Sequence, residues 1–283
     1  MRKIRGWRQL ATQVGLAIVG LFVVLPIWNM AAMAFDGALP GPPEEVRLLP
    51  RQPTLNVFVD LWQTGPQSLP FAGLLRNSLI VSGGAALLSL VLGVSMAYAF
   101  SRMRFPGRRS GLLALLVGTL LPPIALMTPL WVLLRAVHLA NSQLGLVIVY
   151  ASLSMPLCVW LMRSAFLAVP RDLDEAVFVE GGNAWHAFRH VGLPNAAPAI
   201  AVAVLFAFLV GYSEFALGWL FVDRGDMVTL AMAMAGSDIG LGSRDWAHQA
   251  ALTLMMAVPV LALFLVLQRR LLADVRLGID AQT

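Results

Sequence analysis

The densest run of ionisable and turn-forming residues lies between Pro170 and Pro194: Pro-Arg-Asp-Leu-Asp-Glu-Ala-Val-Phe-Val-Glu-Gly-Gly-Asn-Ala-Trp-His-Ala-Phe-Arg-His-Val-Gly-Leu-Pro. Carboxylates, imidazoles and a double glycine so close together could serve acid–base chemistry, metal binding or docking. His186 and His190 stand four apart, one face of a helix, as a metal pair would require. No further Cys or His lies near them, and only acids such as Glu180 could complete a site of the usual ligand number. The single cysteine, Cys158, sits in an apolar run. It excludes an internal disulfide or a cysteine-based zinc or iron–sulfur site, and reads as a small core residue. The single lysine, Lys3, follows Arg2, so a phosphate-binding loop of the G-x-x-x-x-G-K-[ST] type is excluded. Ser, His and Asp occur without a nucleophile-elbow frame, and no catalytic triad is expected. Glu214 is the one acid inside an otherwise apolar stretch from His190 to Val222. Carboxylates in hydrocarbon are costly and default to a functional reading. Two roles stay open for it: a hydrogen bond to a solute hydroxyl, or a structural contact with a polar group on a neighbouring helix.

The elements that must position these groups follow from composition. Of 283 residues, 59% are hydrophobic and only 12% charged, about half the charge of an ordinary soluble domain. Soluble domains are thereby excluded. The net charge of +5 is spread in short basic groups between apolar runs, which favours membrane orientation over nucleic-acid binding. Charge-free intervals at 9–35, 77–101, 110–134, 136–162 and 246–268, with the Glu214-bearing stretch, each reach the ~20 residues that cross a bilayer core. Backbone in lipid must satisfy its own hydrogen bonds, so the expectation is an all-α membrane protein with six transmembrane helices. These are placed at about 10–34, 75–100, 111–134, 144–163, 197–221 and 248–268. The first apolar stretch exceeds the 7–15 residues of a signal h-region and is kept as a spanning helix.

Six spans put both termini on one side. That side carries Lys3 and thirteen arginines (at 2, 5, 8, 102, 104, 108, 109, 163, 171, 189, 269, 270 and 276); the other carries Arg47, Arg51, Arg76, Arg135, Arg224 and Arg244. The positive-inside rule makes the first side cytoplasmic. The domain expectation is a cytoplasmic N-terminus at 1–9, a first span at 10–34 and a Pro-rich external segment at 35–74. A core at 75–268 and a cytoplasmic tail at 269–283 follow. Residues 36–73 hold seven of the 17 prolines and are expected to form an irregular outer cap. The external loop 222–247 brackets an apolar middle, Met227 to Ala235, with charges. It is either a solvated loop or an element for docking and solute handover.

The cytoplasmic loop 165–196 is too patterned for a plain connection. Asp172 is expected to cap a helix with Glu175 at its third position. Gly181 and Gly182 stop that helix, and Asn183 caps a second one that ends before Pro194. Trp185, Phe188 and Val191 form an apolar stripe on the second helix. The result is a helix–Gly-Gly–helix element that either lies on lipid or docks into a soluble partner. Pro122, Pro123 and Pro129 are expected to break the third helix, either as a packed kink or as the lining of a translocation path.

The loop resembles the "EAA" signature of binding-protein-dependent ABC importer permeases. That signature runs Glu-Ala-Ala, three residues, Gly, nine residues, an aliphatic residue, one residue, Leu-Pro. Glu175, Ala176, Gly181, Val191, Leu193 and Pro194 stand at that spacing. Val177 departs from it where the pattern has Ala, as do Glu180 and Gly182 where sugar permeases usually have Asp and Ala. Arg76-Asn-Ser-Leu-Ile-Val, Ala97-Tyr-Ala-Phe-Ser-Arg-Met-Arg-Phe-Pro-Gly-Arg, Leu121-Pro-Pro-Ile to Thr128-Pro-Leu, and Tyr212-Ser-Glu-Phe are similar to the carbohydrate, maltose-type branch and fall in its order.

The resemblance implies a type I ABC importer permease fold and a chain that is not itself the ATPase. It implies a second permease subunit, as a heterodimer, with two cytoplasmic ATP-binding subunits, an external solute-binding protein and no nucleic acid. No cofactor is bound by this chain; ATP and Mg belong to the partner. Coupling to that ATPase is expected at Glu175, Ala176, Glu180, Gly181, Gly182, Trp185, Phe188, Leu193 and Pro194. A substrate path is expected at Glu214, Tyr212, Pro122 and Pro123, for a di- or oligosaccharide or a related polyol or glycerophosphodiester. The alternatives are a permease for a non-sugar solute and a gradient-driven carrier using Glu214. An intramembrane enzyme would need several ionisable groups at one depth, where only Glu214 stands.

Overall fold

The computed structural model describes residues 6–37, 45–46, 48–65, 69–237 and 246–271, all in helices and connecting segments apart from one isolated bridge. Two compact units divide the chain: residues 1–71 with 236–258, and residues 72–235 with 259–283.

In the first unit, α1 (Gly6–Ala34) is apolar all round and exposed along most of its length, the signature of a helix whose surroundings are lipid or another subunit. Its last turn buries Ala32, Met33 and Ala34. Just beyond, Asp36 is fully buried and its carboxylate accepts the backbone N–H groups of Arg51 and Gln52, both at 3.1 Å. The Pro-rich segment is less irregular than expected, because it contains α2 (Asn56–Gln63). Pro50 and Pro53 precede that helix and Pro70 follows it, so none removes an N–H from its interior. Val57 and Leu61, one turn apart, supply its buried face. Pro40, Pro42, Pro43 and Pro66 lie outside the described residues, as do Arg47, 238–245 of the external loop, and the tail beyond 271.

The second unit is built on three long helices: α3 (Phe71–Arg102), α6 (Gln143–Ala168) and α9 (Leu193–Ser213). Small residues let them approach closely, as in membranes generally. A Cβ on Gly84 would meet Val147 at 2.8 Å, one on Gly93 would meet Met162 at 2.9 Å, and one on Gly211 would meet the Ser82 Cα at 3.1 Å. Buried hydroxyls add polar ties where no water competes: Ser89 Oγ lies 2.9 Å from Ser154 Oγ.

Among the described residues, five helices are long and apolar enough to span a membrane, and a bent pair can serve as a sixth. That pair is α4 (Arg108–Leu120) and α5 (Met127–Ala136), joined by a 3-10 turn at Pro123–Leu126 and bent by 104°. The cause is local. A residue before proline is pushed out of the helical region, and Leu121 and Pro122 each precede a proline; their ψ values are 125° and 131°. Pro129, by contrast, does not break anything. It sits in the first turn of α5, where its missing N–H would have no intrahelical partner.

The expected fifth span, 197–221, is also interrupted. α9 stops at Ser213, Glu214 takes an extended backbone, and a short α10 (Ala216–Phe221) follows. A 3-10 turn at Gly225–Met227 leads to α11 (Leu230–Ser237), so the apolar middle of loop 222–247 is helical, with Leu230 to Ala233 buried. α12 (Trp246–Leu271) closes the described chain.

Replacing Gly211 by Val should push α9 off α3 and cost about 1–3 kcal/mol, read as a lower thermal midpoint in detergent. Gly83→Ala, with nothing within 4 Å of the new methyl, should raise that midpoint slightly through helix propensity.

Candidate functional site: the paired helices of loop 165–196

The element begins where α6 ends. α7 (Arg171–Val179) starts directly after Pro170, whose backbone is extended at ψ 139°. Asp172 therefore sits at the second helical position and makes no cap, and Glu175 lies beyond the third; the expected Asp172–Glu175 box does not form because proline already fixes the start. Asp172 and Asp174 still stand in the first turn, where the positive end of the helix dipole favours acids.

The C-terminal end of α7 is a Schellman closure. Gly181 N–H donates to the Phe178 carbonyl at 3.1 Å, Gly182 N–H to the Val177 carbonyl at 2.8 Å, and Gly181 has φ +86°. Gly181 is thus the left-handed residue that the closure requires. Gly182 is glycine for a different reason. A Cβ there would lie 2.5 Å from Val177 Cγ1 and 2.8 Å from the Val177 carbonyl oxygen. The valine at 177 supplies the first of these contacts and the main chain supplies the second, so the side chain at 177 accounts for only part of the need for glycine at 182.

Asn183 then caps the next helix as expected. Its Oδ1 accepts from Trp185 N (3.0 Å) and His186 N (3.1 Å), and His186 Nδ1 reaches back to Asn183 N at 3.4 Å. His186 is therefore engaged in the cap, and His190 Nδ1 lies 3.2 Å from the His186 carbonyl. The second helix does not end before Pro194. α8 (Ala184–Ala187) runs through a π turn, Phe188–Gly192, straight into α9, with Leu193 N–H bonded to the Phe188 carbonyl. Proline would clash with the carbonyl four residues back and lacks the N–H to bond it. The wider π turn just before Pro194 absorbs this, and Pro194 falls in the first turn of α9.

Four groups absent from the expected coupling residues hold the pair onto the membrane helices. Arg102, in the last turn of α3, donates from Nη2 to the Val169 carbonyl at 2.8 Å and pairs through Nε with Asp174 Oδ2 at 3.1 Å. The side chains of that ion pair are 9% and 13% exposed. Tyr98, one turn earlier, meets Phe188 edge-on at 4.8 Å and Phe166 at 5.4 Å. Gly192 permits this packing, since a Cβ on it would stand 3.2 Å from Tyr98 and 3.3 Å from Phe166. The sequence did single out the Ala97–Arg108 stretch, but no periodicity tied it to a loop some 70 residues later.

The outward surface is apolar and bare. Val179 is 88% and Trp185 61% exposed, with Phe178 and Leu173 also exposed and Glu175 and Glu180 beside them. A cavity of about 210 Å³ opens next to them, lined by Tyr98, Arg102, Met103, Arg171, Asp174, Glu175, Phe178 and Ala184. Apolar surface rimmed by charges marks an interaction site. Of the expected coupling residues, Ala176 is exposed on α7, Phe188 turns inward onto Tyr98, and Leu193 and Pro194 begin α9.

A second constellation sits at the break between α9 and α10. The Glu214 carboxylate accepts from Leu217 N (3.0 and 3.2 Å) and Gly218 N (3.3 Å), bonding the open first turn of α10. Tyr212 is buried and stacks on Phe208 at 5.3 Å. The buried Tyr150 hydroxyl lies within electrostatic reach of Glu214 and against Gly218. α10 packs on α5 and α6; Pro122 and Pro123 are exposed in the bend that precedes α5.

Helices long and apolar enough to span a membrane, one pair of them sharply bent, define an integral membrane protein. Residues 89–274 match the family model of the binding-protein-dependent transport system inner membrane component, and the chain belongs to that family. It is 30% identical over 212 residues to the trehalose transport system permease protein SugB of Mycobacterium tuberculosis, covering 74% of this chain and 76% of that one. It is 28% identical over 295 residues to the maltose/maltodextrin transport system permease protein MalG of Vibrio parahaemolyticus, covering 98% and 96%. Its fold matches a chain of a bacterial ABC transporter involved in the import of the acidic polysaccharide alginate, at a TM-score of 0.79 and 20% identity over 95% of this chain and 99% of that one.

Gly182→Ala should loosen the α7–α8 junction by roughly 1–2 kcal/mol, raising amide exchange across 181–187. Adding Val177→Ala removes the Cγ1 contact and leaves the carbonyl one, and should return part of that protection; a double variant as exchange-prone as the single one would show that the two positions are independent.

Proposed function

We propose that the chain is one of two membrane subunits of an ATP-driven importer that takes up a sugar. The solute is a di- or oligosaccharide, or a related polyol or glycerophosphodiester, delivered by an external solute-binding protein. Family membership supports the transport role. Relatives whose names specify trehalose, diacetylchitobiose and maltodextrin transport support the solute class. The observation that carries the mechanism is the bare apolar surface of α7 and α8, fixed to the membrane helices through Asp174 and Phe188. Two cytoplasmic ATP-binding subunits hydrolyse ATP with Mg and grip this surface. Their closure moves α7 and α8 as a rigid body, which rocks the attached helices between inward- and outward-open states. Both termini and loop 165–196 face the cytoplasm in this reading.

The path for the solute runs past the helix breaks. Glu214, Tyr212, Pro122 and Pro123 belong to it, with Glu214 acting by holding the first turn of α10. Interrupted helices near a path are common in transporters because irregular backbone survives there only when its polar groups are satisfied.

Gly181→Pro should leave membrane insertion intact and abolish solute-stimulated ATP turnover in the reconstituted complex. Uptake into vesicles holding this chain alone, without ATP, would overturn the reading. Glu214→Ala should weaken the α10 cap by ~1 kcal/mol and slow uptake, whereas Glu214→Gln, which keeps a carbonyl acceptor for Leu217 N–H, should retain most of it. Equal rates in both variants would remove Glu214 from the path.

A further inference from the structure

α3 is gripped at both ends. At the end opposite the coupling element, Asn77 is 7% exposed and Ser78 is 1% exposed. Asn77 Nδ2 donates to the carbonyls of Asp226 (2.8 Å) and Val228 (3.0 Å), and its Oδ1 accepts from Gln143 Nε2 at 2.9 Å. Ser78 Oγ accepts the Leu230 N–H at 2.8 Å. Three hydrogen bonds from adjacent residues therefore seize the backbone of 226–230, between α10 and α11. At the other end, Tyr98 and Arg102 share one helix face at a spacing of four. Tyr98 holds the π turn through Phe188, and Arg102 holds α7 through Asp174.

The residues between the two grips form one unbroken helix. Ser78 to Tyr98 is twenty residues, about 30 Å at 1.5 Å per residue. The helices beside it are less direct: α6 and α9 each contain a proline, and the route along α9 into the outer segment is interrupted at Glu214. Along α3 no proline intervenes, and its flank is pinned to α6 by the Ser89–Ser154 hydroxyl pair.

We propose that α3 is the rod that carries displacement of the coupling helices to the outer segment 226–230, with Arg102 and Tyr98 as its inner grip and Asn77 and Ser78 as its outer one. The inference rests on the importer reading, which supplies the force at α7 and α8. Its specific content is the route: the outer segment follows α3 through side-chain hydrogen bonds, rather than following α9 through the chain. The two ends are then coupled by a free energy that disappears when either grip is cut.

The test uses the complete importer, purified with its partner subunits and placed in lipid nanodiscs. In a Cys158→Ala background, Asp223→Cys provides an exposed thiol beside the gripped segment. Its maleimide labelling rate is measured with and without ATP plus vanadate, alongside ATP hydrolysis. With both grips intact the two rates should differ by about fivefold or more, the lower end of ordinary allosteric coupling. Asn77→Asp with Ser78→Ala removes the three outer bonds at nearly constant volume. It should bring the two rates within about twofold of each other while ATP hydrolysis continues. Arg102→Met should also abolish the difference, and Arg102→Lys should restore part of it.

A full nucleotide response in both cut variants would overturn the rod. So would an absence of response in the intact protein that hydrolyses ATP. A complex that neither assembles nor hydrolyses ATP overturns the importer reading itself, and the ATPase assay separates that result from the others.

Discussion

A backbone N–H or C=O that leaves its helix away from water has to find another partner, and three breaks among the described residues are organised by that constraint. The carboxylate of Glu214 bonds the open amides where α9 gives way to α10. Asn77 takes up carbonyls where the 3-10 turn leads into α11. A π turn takes up the mismatch ahead of Pro194. The acid and the amide at these points supply what a longer helix would have supplied for itself. Breaks of this kind are costly unless their open polar groups are met, and here each is met.

The paired helices of loop 165–196 show the same economy. α7 is only nine residues long, and an isolated helix of that length does not hold in water; α8 is the first turn of the continuous helix that becomes α9. Closure by Gly181 and Gly182, the Asn183 cap, the Arg102–Asp174 pair and the Tyr98 ring together fix them. A buried ion pair is weak evidence for stability, because desolvation opposes the attraction. What it gives is a defined position: Asp174 has a place only where Arg102 can reach it, and α7 is thereby set against the end of α3. The exposed Trp185 and Val179 are thereby held in a fixed position relative to α3.

Much of this was legible in the residues, and the limits follow a rule. Long charge-free runs pointed to the long apolar helices, because hydropathy over 20 residues is a strong signal, but not to the breaks inside the third and fifth runs. The double glycine and Asn183 were readable because caps are local chemistry. Local breaks are harder to read. Nothing in the apolar neighbours of Glu214 announces an extended backbone. Pro170, not Asp172, starts α7. Pro129 falls in a first turn, where a proline is harmless. The π turn lets the second helix run on past Pro194. The grips of α3 were beyond reach for another reason: Asn77 meets residues about 150 positions away, and no periodicity encodes such a meeting.

The crowding at position 182 has a consequence for how this turn tolerates change. A side chain there meets both the Val177 branch and the Val177 carbonyl. Trimming the valine clears only the first, since the carbonyl belongs to the main chain and stays whatever residue stands at 177. The joint between α7 and α8 is thus guarded twice, once by a removable group and once by the peptide framework itself.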